Sequence, residues 1–292
     1  MGQLKGVGVA LVTPFNEDLS VDFDSLTKLI DYNIDNGTSF LVVLGTTAEA
    51  ATLSKDEKDR VIAHITKINN NRLPLVLGIG GNNTAEVKQQ ILDADLSDFD
   101  AVLSVSPYYN KPNQEGLYQH YKALAETGAK IIIYNVPGRT GQNVEASTTL
   151  RLANEFPNLF MIKEAAPNIL QYFDILRQKP ENFSLMSGDD EFTLPVTLAG
   201  GDGVISVIAQ AYPKEFSTMV KLARQREVDE AYKIHNSLVE ITRLIFEEGN
   251  HCGIKTILAE KGIIKNYLRL PLVAASESLQ EKIRSEMETI NS

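Results

Sequence analysis

The chain has 292 residues, 43% of them hydrophobic, enough for one large domain or two smaller ones with a sizeable core. Its formal net charge of −10 argues against nucleic acid and anionic membrane as partners, and leaves local cations to draw in any anionic substrate. The one cysteine, Cys252, excludes an intrachain disulfide and fits a reducing, cytoplasmic setting, and no run approaches the ~18 consecutive apolar residues of a membrane span.

The stretch Met1-Gly2-Gln3-Leu4-Lys5-Gly6-Val7 enters a strand at once and lacks the long apolar core of a signal peptide. Short apolar runs then recur at 7–12, 40–44, 75–79, 101–105, 131–134, 159–162, 183–186 and 204–208. Their spacing of roughly 20–35 residues is that of repeated β-α units. Being nearly continuous in hydrophobicity, they predict parallel strands covered on both faces. The segments between them read as helices. Phe23, Leu26, Leu29, Ile30 and Ile34 recur at helical spacing. Ser54-Lys55-Asp56-Glu57 matches a capping box ahead of Val61, Ile62, Ile65 and Ile68, and Asn83-Thr84-Ala85-Glu86 stands similarly before Val87 and Ile91.

Eight such units predict an α/β fold, a (β/α)8 TIM barrel over residues 1–226. A doubly wound open sheet usually needs fewer strands and gives no reason for chemistry at five strand ends. Residues 227–292 contain no strand pattern. Helical patterns at 230–246, 253–260 and 276–290, with Leu270-Pro271 before the third, predict a C-terminal helical extension packed on the barrel.

Active sites of barrel enzymes lie at the carboxyl ends of the strands. The second run ends Gly45-Thr46-Thr47-Ala48-Glu49-Ala50, and the fourth Ser106-Pro107-Tyr108-Tyr109-Asn110. The fifth ends Tyr134-Asn135-Val136-Pro137-Gly138-Arg139-Thr140, and the eighth contains Gly203-Val204-Ile205-Ser206. The sixth carries the most informative residue, Lys163, inside Leu159-Phe160-Met161-Ile162-Lys163-Glu164-Ala165-Ala166. A strand-end lysine ordinarily snorkels to water. A buried one has its charged form disfavoured, and a neutral lysine amine forms Schiff bases with carbonyls.

This ordered set of motifs resembles the dihydrodipicolinate synthase family of pyruvate-dependent, Schiff-base-forming aldolases. The resemblance runs from the first strand through Ser206, and Leu268-Arg269-Leu270-Pro271-Leu272 also fits it. It implies that Lys163 forms an imine with pyruvate and that the derived enamine attacks aspartate 4-semialdehyde, in lysine and diaminopimelate synthesis. It further implies that Tyr134 is the general acid/base, that Thr46 and Tyr109 complete a hydroxyl relay, and that Tyr109 serves a neighbouring subunit. By the same resemblance Thr47 holds pyruvate's carboxylate, Arg139 takes the second substrate's carboxylate, and Gly188 and Ile205 line the pocket. A homotetramer built as a dimer of dimers is implied as well. No cofactor or metal is expected, because the imine itself is the electron sink.

Two readings compete. N-acetylneuraminate lyase is another pyruvate aldolase, but Gly138-Arg139-Thr140 favours a small anionic aldehyde over a sugar. A catalytically silent, amino-acid-binding barrel would not need the full hydroxyl set beside Lys163. The chain also departs from the family's common Thr-Thr-Gly-Glu-Ser. If position 48 requires positive φ, Ala48 adopts it less freely than glycine. Ala50, Lys55, Lys58, Asn82, Glu86 and Tyr108 match a cleft that binds the inhibitor lysine in some members. Lys55 and Lys58 replace histidines there, and two cations repel lysine's ammonium groups.

Other signals are weaker. Gly78-Ile79-Gly80-Gly81 lacks the last glycine of a dinucleotide fingerprint, and His64, His120, His235 and His251 show no ligand spacing. Gly200-Gly201-Asp202-Gly203 resembles a phosphate-binding loop, and Asp189-Asp190 reads as helix-start carboxylates.

Overall fold

The computed structural model describes residues 4–291; residues 1–3, where the N-terminal stretch begins, lie outside the described residues. The chain runs β1 (Gly6–Ala10), α1 (Phe23–Asp35), β2 (Phe40–Val43), α2 (Lys55–Asn69), β3 (Leu75–Gly78), α3 (Thr84–Asp93), β4 (Ala101–Val105) and α4 (Gln114–Ala125). It continues β5 (Ile131–Asn135), α5 (Pro137–Thr140), α6 (Ala146–Glu155), β6 (Leu159–Glu164), α7 (Ile169–Gln178), β7 (Ser184–Ser187), α8 (Thr193–Leu198), β8 (Gly203–Ser206) and α9 (Pro213–Gln225). The eight strands are parallel neighbours in sequence order and close into a barrel through β1 and β8. Helices α10 (Val228–Glu247), α11 (Asn250–Glu260) and α12 (Glu277–Asn291) follow.

Local chemistry sets the helix starts. Ser54 and Glu57 form the expected reciprocal capping box, satisfying two backbone donors at the head of α2. Asp22, Asn83 and Asn113 cap α1, α3 and α4 through their side chains. Pro137 and Pro213 occupy first-turn positions, where a missing N–H costs nothing.

The core has two layers. Phe40, Val42, Leu103, Ile132, Met161, Met186 and Ile205 fill the barrel interior. A Cβ on Gly8 would lie 2.2 Å from the Phe40 ring, so the glycine makes room for that aromatic. Outside the strands, residues of α10, α11 and α12, among them Leu238, Ile241, Ile257 and Ile283, join one apolar cluster with Val7, Leu26 and Leu41 of the barrel.

The eighth run was expected to reach residue 208, but β8 ends at Ser206. The buried Asp190 carboxylate accepts from the backbone N–H of Val207 and of Ile208, both at 3.1 Å, and so withdraws them from the sheet. Asp189 keeps the expected helix-start role, accepting from Glu191 and Phe192 N–H just ahead of α8. The glycine stretch at 200–203 leads into the start of β8, so it lies at the opposite barrel end from the carboxyl-terminal site, and Gly203 packs against Gly6.

Candidate active site

β5 and β6 pair in register with Tyr134 opposite Lys163 and Asn135 opposite Glu164. Each strand therefore sends one residue of these pairs inward and the next outward. Lys163 is 4% exposed, and its Nζ lies 4.3 Å from the centroid of the Tyr134 ring. Among the described residues no carboxylate forms an ion pair with it. A Cβ on Gly188, just past β7, would meet Lys163 Cε at 2.9 Å and Ala165 Cβ at 2.8 Å. Only glycine at that position leaves the lysine side chain undisturbed.

The outward pair forms a buried polar lock. The Glu164 carboxylate accepts from Asn135 Nδ2 at 2.8 and 3.0 Å, from Gln171 Nε2 at 2.8 Å and from Ala166 N–H at 2.7 Å. The Tyr172 hydroxyl donates to the Glu164 carbonyl at 2.6 Å. Burial pushes the Glu164 carboxyl up to about 7, against the pull of these donors. The lock ties together the strand ends that carry Tyr134 and Lys163.

A cavity of about 440 Å³ opens at this end of the barrel, lined by Thr46, Thr47, Tyr134, Arg139, Lys163 and Gly188 among others. An adjoining cavity of about 480 Å³ shares Thr46, Tyr134 and Arg139 and adds Ala50, Lys58 and Tyr108. Thr46 is exposed and Thr47 is 3% exposed, in a tight turn (Thr46–Ala48) after β2. Ala48 needs no left-handed backbone; the next residue, Glu49, takes it, at φ 53°. The alanine therefore does not strain the threonine turn. Arg139, on the short α5, donates to Asn250 Oδ1 at 2.5 Å.

Not every expected residue converges. Tyr109 is 89% exposed with φ 73° and lines neither cavity of its own chain. Ile205 is fully buried inside the barrel, and Val207 lines the cavity instead. Lys55, Asn82 and Glu86 do not line the cavity that holds Ala50, Lys58 and Tyr108. Asn82 instead accepts from Asn110 Nδ2 through its carbonyl at 3.0 Å.

Helix α11 brings Lys255 and His251 to the site without a sequence motif to mark them. The Lys255 ammonium, fully buried, lies 2.5 Å from Glu49 Oε1, and the Arg269 N–H donates to Glu49 Oε2 at 3.0 Å. His251 Nε2 lies 2.9 Å from the Thr46 carbonyl. Burial lowers the His251 pKa below the ordinary histidine value, with the Thr46 carbonyl opposing and Arg139 assisting. The one available signal was the i,i+4 spacing of His251 and Lys255, which puts both on one helix face.

The sequence profile of the Dihydrodipicolinate synthetase family matches residues 3–290. The chain belongs to this family. It is 56% identical over 279 residues to the 4-hydroxy-tetrahydrodipicolinate synthase of Flavobacterium psychrophilum, covering 95% of each chain. It is 51% identical over 289 residues to the enzyme of that name from Parabacteroides distasonis, covering 99% of this chain and 97% of the relative. Among solved structures, the chloride-inhibited dihydrodipicolinate synthase of Acinetobacter baumannii complexed with pyruvate superposes with a TM-score of 0.95 at 39% identity, covering 99% of both chains. Membership of this family agrees with the barrel and its helical C-terminal part. Among the described residues no helix is long and apolar enough to cross a membrane.

Proposed function

We propose that the protein condenses pyruvate with aspartate 4-semialdehyde through a lysine Schiff base, the activity of a 4-hydroxy-tetrahydrodipicolinate synthase in lysine and diaminopimelate synthesis. The observation that carries this reading is Lys163, a buried lysine with no carboxylate partner among the described residues, opening on a cavity with hydroxyls and a guanidinium. In this reading its Nζ attacks the keto carbon of pyruvate, and loss of water leaves an imine. The imine draws electrons from the adjacent methyl group, which loses a proton to give an enamine. The enamine carbon attacks the aldehyde, and the substrate's own amine then displaces Lys163 and closes the ring.

Tyr134, against Lys163, acts as the general acid/base, and a hydroxyl can both donate and accept the proton in transit. Thr46 and Tyr109 complete the relay. The exposure of Tyr109 supports its service to a neighbouring subunit within a dimer of dimers. Thr47 holds the pyruvate carboxylate, with Gly188 shaping the pocket and Val207, in place of the expected Ile205, on its wall. Arg139, kept at the rim by Asn250, takes the carboxylate of the second substrate through two parallel hydrogen bonds. Residues 1–226 form the catalytic barrel in this reading and 227–292 its helical extension, in the cytoplasm.

Borohydride reduction with pyruvate, followed by peptide mapping, tests the proposal. The expected result is an adduct on the peptide containing Lys163, formed only when pyruvate is present. No adduct there overturns it. Lysine binding in the second cavity is a further reading: Ala50 and Tyr108 are on its wall, the Lys58 ammonium there opposes a cationic ligand, and Lys55, Asn82 and Glu86 do not line it. Activity that stays flat on titration with lysine rejects that role.

A further inference from the structure

The turn that carries Thr46 and Thr47 is closed by two backbone bonds of its own, Ala48 N–H to the Gly45 carbonyl and Glu49 N–H to the Thr46 carbonyl, and is gripped from outside as well. Its first carbonyl, of Thr46, accepts from His251 at 2.9 Å. Its third carbonyl, of Ala48, accepts from the Thr13 hydroxyl at 2.7 Å. Its closing residue, Glu49, has a left-handed backbone, and its buried carboxylate is gripped by Lys255 and the Arg269 N–H. Lys255 also donates to the Tyr267 carbonyl at 2.9 Å.

His251 and Lys255 lie one turn apart on α11, so a single helix face addresses both ends of the turn. A carbonyl only accepts, so His251 Nε2 carries the proton, and burial disfavours the charged form of the ring. Glu49 and Lys255 have fully buried side chains. Burying two charges is often no more stable than a well-packed apolar pair of the same volume, so stability alone does not account for them here. What the pair does supply is a fixed direction for the backbone that enters and leaves Thr46-Thr47.

We propose that His251 and Lys255 are positioning residues for the pyruvate half of the reaction, setting the 46–49 turn so that Thr47 and Thr46 meet the bound 2-oxoacid. This rests on the pyruvate reading above. Arg139 is held by its own hydrogen bond to Asn250, the residue before His251 on α11, a bond that replacement of His251 does not remove.

The test compares His251→Leu, which loses the side-chain donor to the Thr46 carbonyl, with His251→Gln, whose amide N–H can replace it. The readouts are the rate of borohydride trapping of pyruvate on Lys163, the KM for each substrate, kcat and the melting temperature. His251→Leu is expected to slow trapping and raise the pyruvate KM by roughly 10-fold or more, the scale of a small misplacement of a substrate-holding group. The KM for the aldehyde stays within about twofold, and His251→Gln recovers most of the loss. Should His251→Leu not fold, the paired replacement E49Q/K255M, which removes both charges together, carries the same expectation. Unaltered trapping in variants of an enzyme that traps pyruvate overturns the positioning role alone, as does an equal loss for both substrates. No trapping by the unchanged enzyme overturns the pyruvate reading and this inference with it.

Discussion

The protein buries two lysines beside aromatic rings at the same distance and treats them in opposite ways. Lys163 Nζ lies 4.3 Å from the Tyr134 ring, and Lys255 Nζ lies 4.3 Å from the Phe15 ring. Lys255 has a carboxylate at 2.5 Å and a carbonyl at 2.9 Å, whereas Lys163 forms no ion pair among the described residues and faces a cavity. Burial lowers Lys255 to about 8, and Glu49 opposes that shift. A lysine whose donors are spent on protein acceptors holds structure together. One whose nitrogen is left facing open space is available to a substrate. Burial alone does not separate the two cases; the partner does.

The largest effect should come from removing the available amine. Lys163→Ala is expected to lower turnover by ~10³-fold or more, the scale seen when a covalent nucleophile is deleted, while leaving the protein folded. Full turnover in that variant would break the comparison outright.

Stability should respond in the reverse order. Lys255→Met strands the Glu49 carboxylate in the interior and is expected to cost about 3–5 kcal/mol in urea denaturation. Lys163→Met strands no charge and should change stability by only about 1 kcal/mol. Similar losses in both would mean that Lys163 has an unrecognised carboxylate partner.

Gly188→Ala sharpens the geometry of the available amine. A methyl group 2.9 Å from Lys163 Cε must displace the side chain. A fall of ~10² in kcat is expected, with the adduct still on Lys163. Unchanged kcat would show that the lysine does not need its observed path.

The most gradual effect is a pH slope from the lock behind the site. Burial raises Glu164 to about 7, so the folded protein holds that proton more tightly than the unfolded chain does. The stability this contributes is fully present below the ordinary carboxylate range and is lost as pH rises through about 7. Between about pH 4.5 and about pH 7.5, the stability of the unchanged protein relative to Glu164→Gln should therefore fall, with a slope of up to about one proton. A flat difference would mean the carboxyl is not perturbed.

Much of this was legible in the sequence, because its signals are local. Hydrophobic runs at β-α spacing dictate parallel strands, capping residues dictate where helices begin, and the polar residues ending each run are delivered to one rim by the closure of the barrel. Thr46, Thr47, Tyr134, Arg139, Lys163 and Gly188 meet at one cavity accordingly. Only the tertiary structure decided which buried lysine is partnered, that Glu49 rather than Ala48 takes the left-handed turn, and that α11 clamps that turn. The reason is distance along the chain: His251 is 205 residues from Thr46 and Lys255 is 206 from Glu49. No periodicity records a contact between segments that meet only after the barrel has closed and the extension has packed upon it.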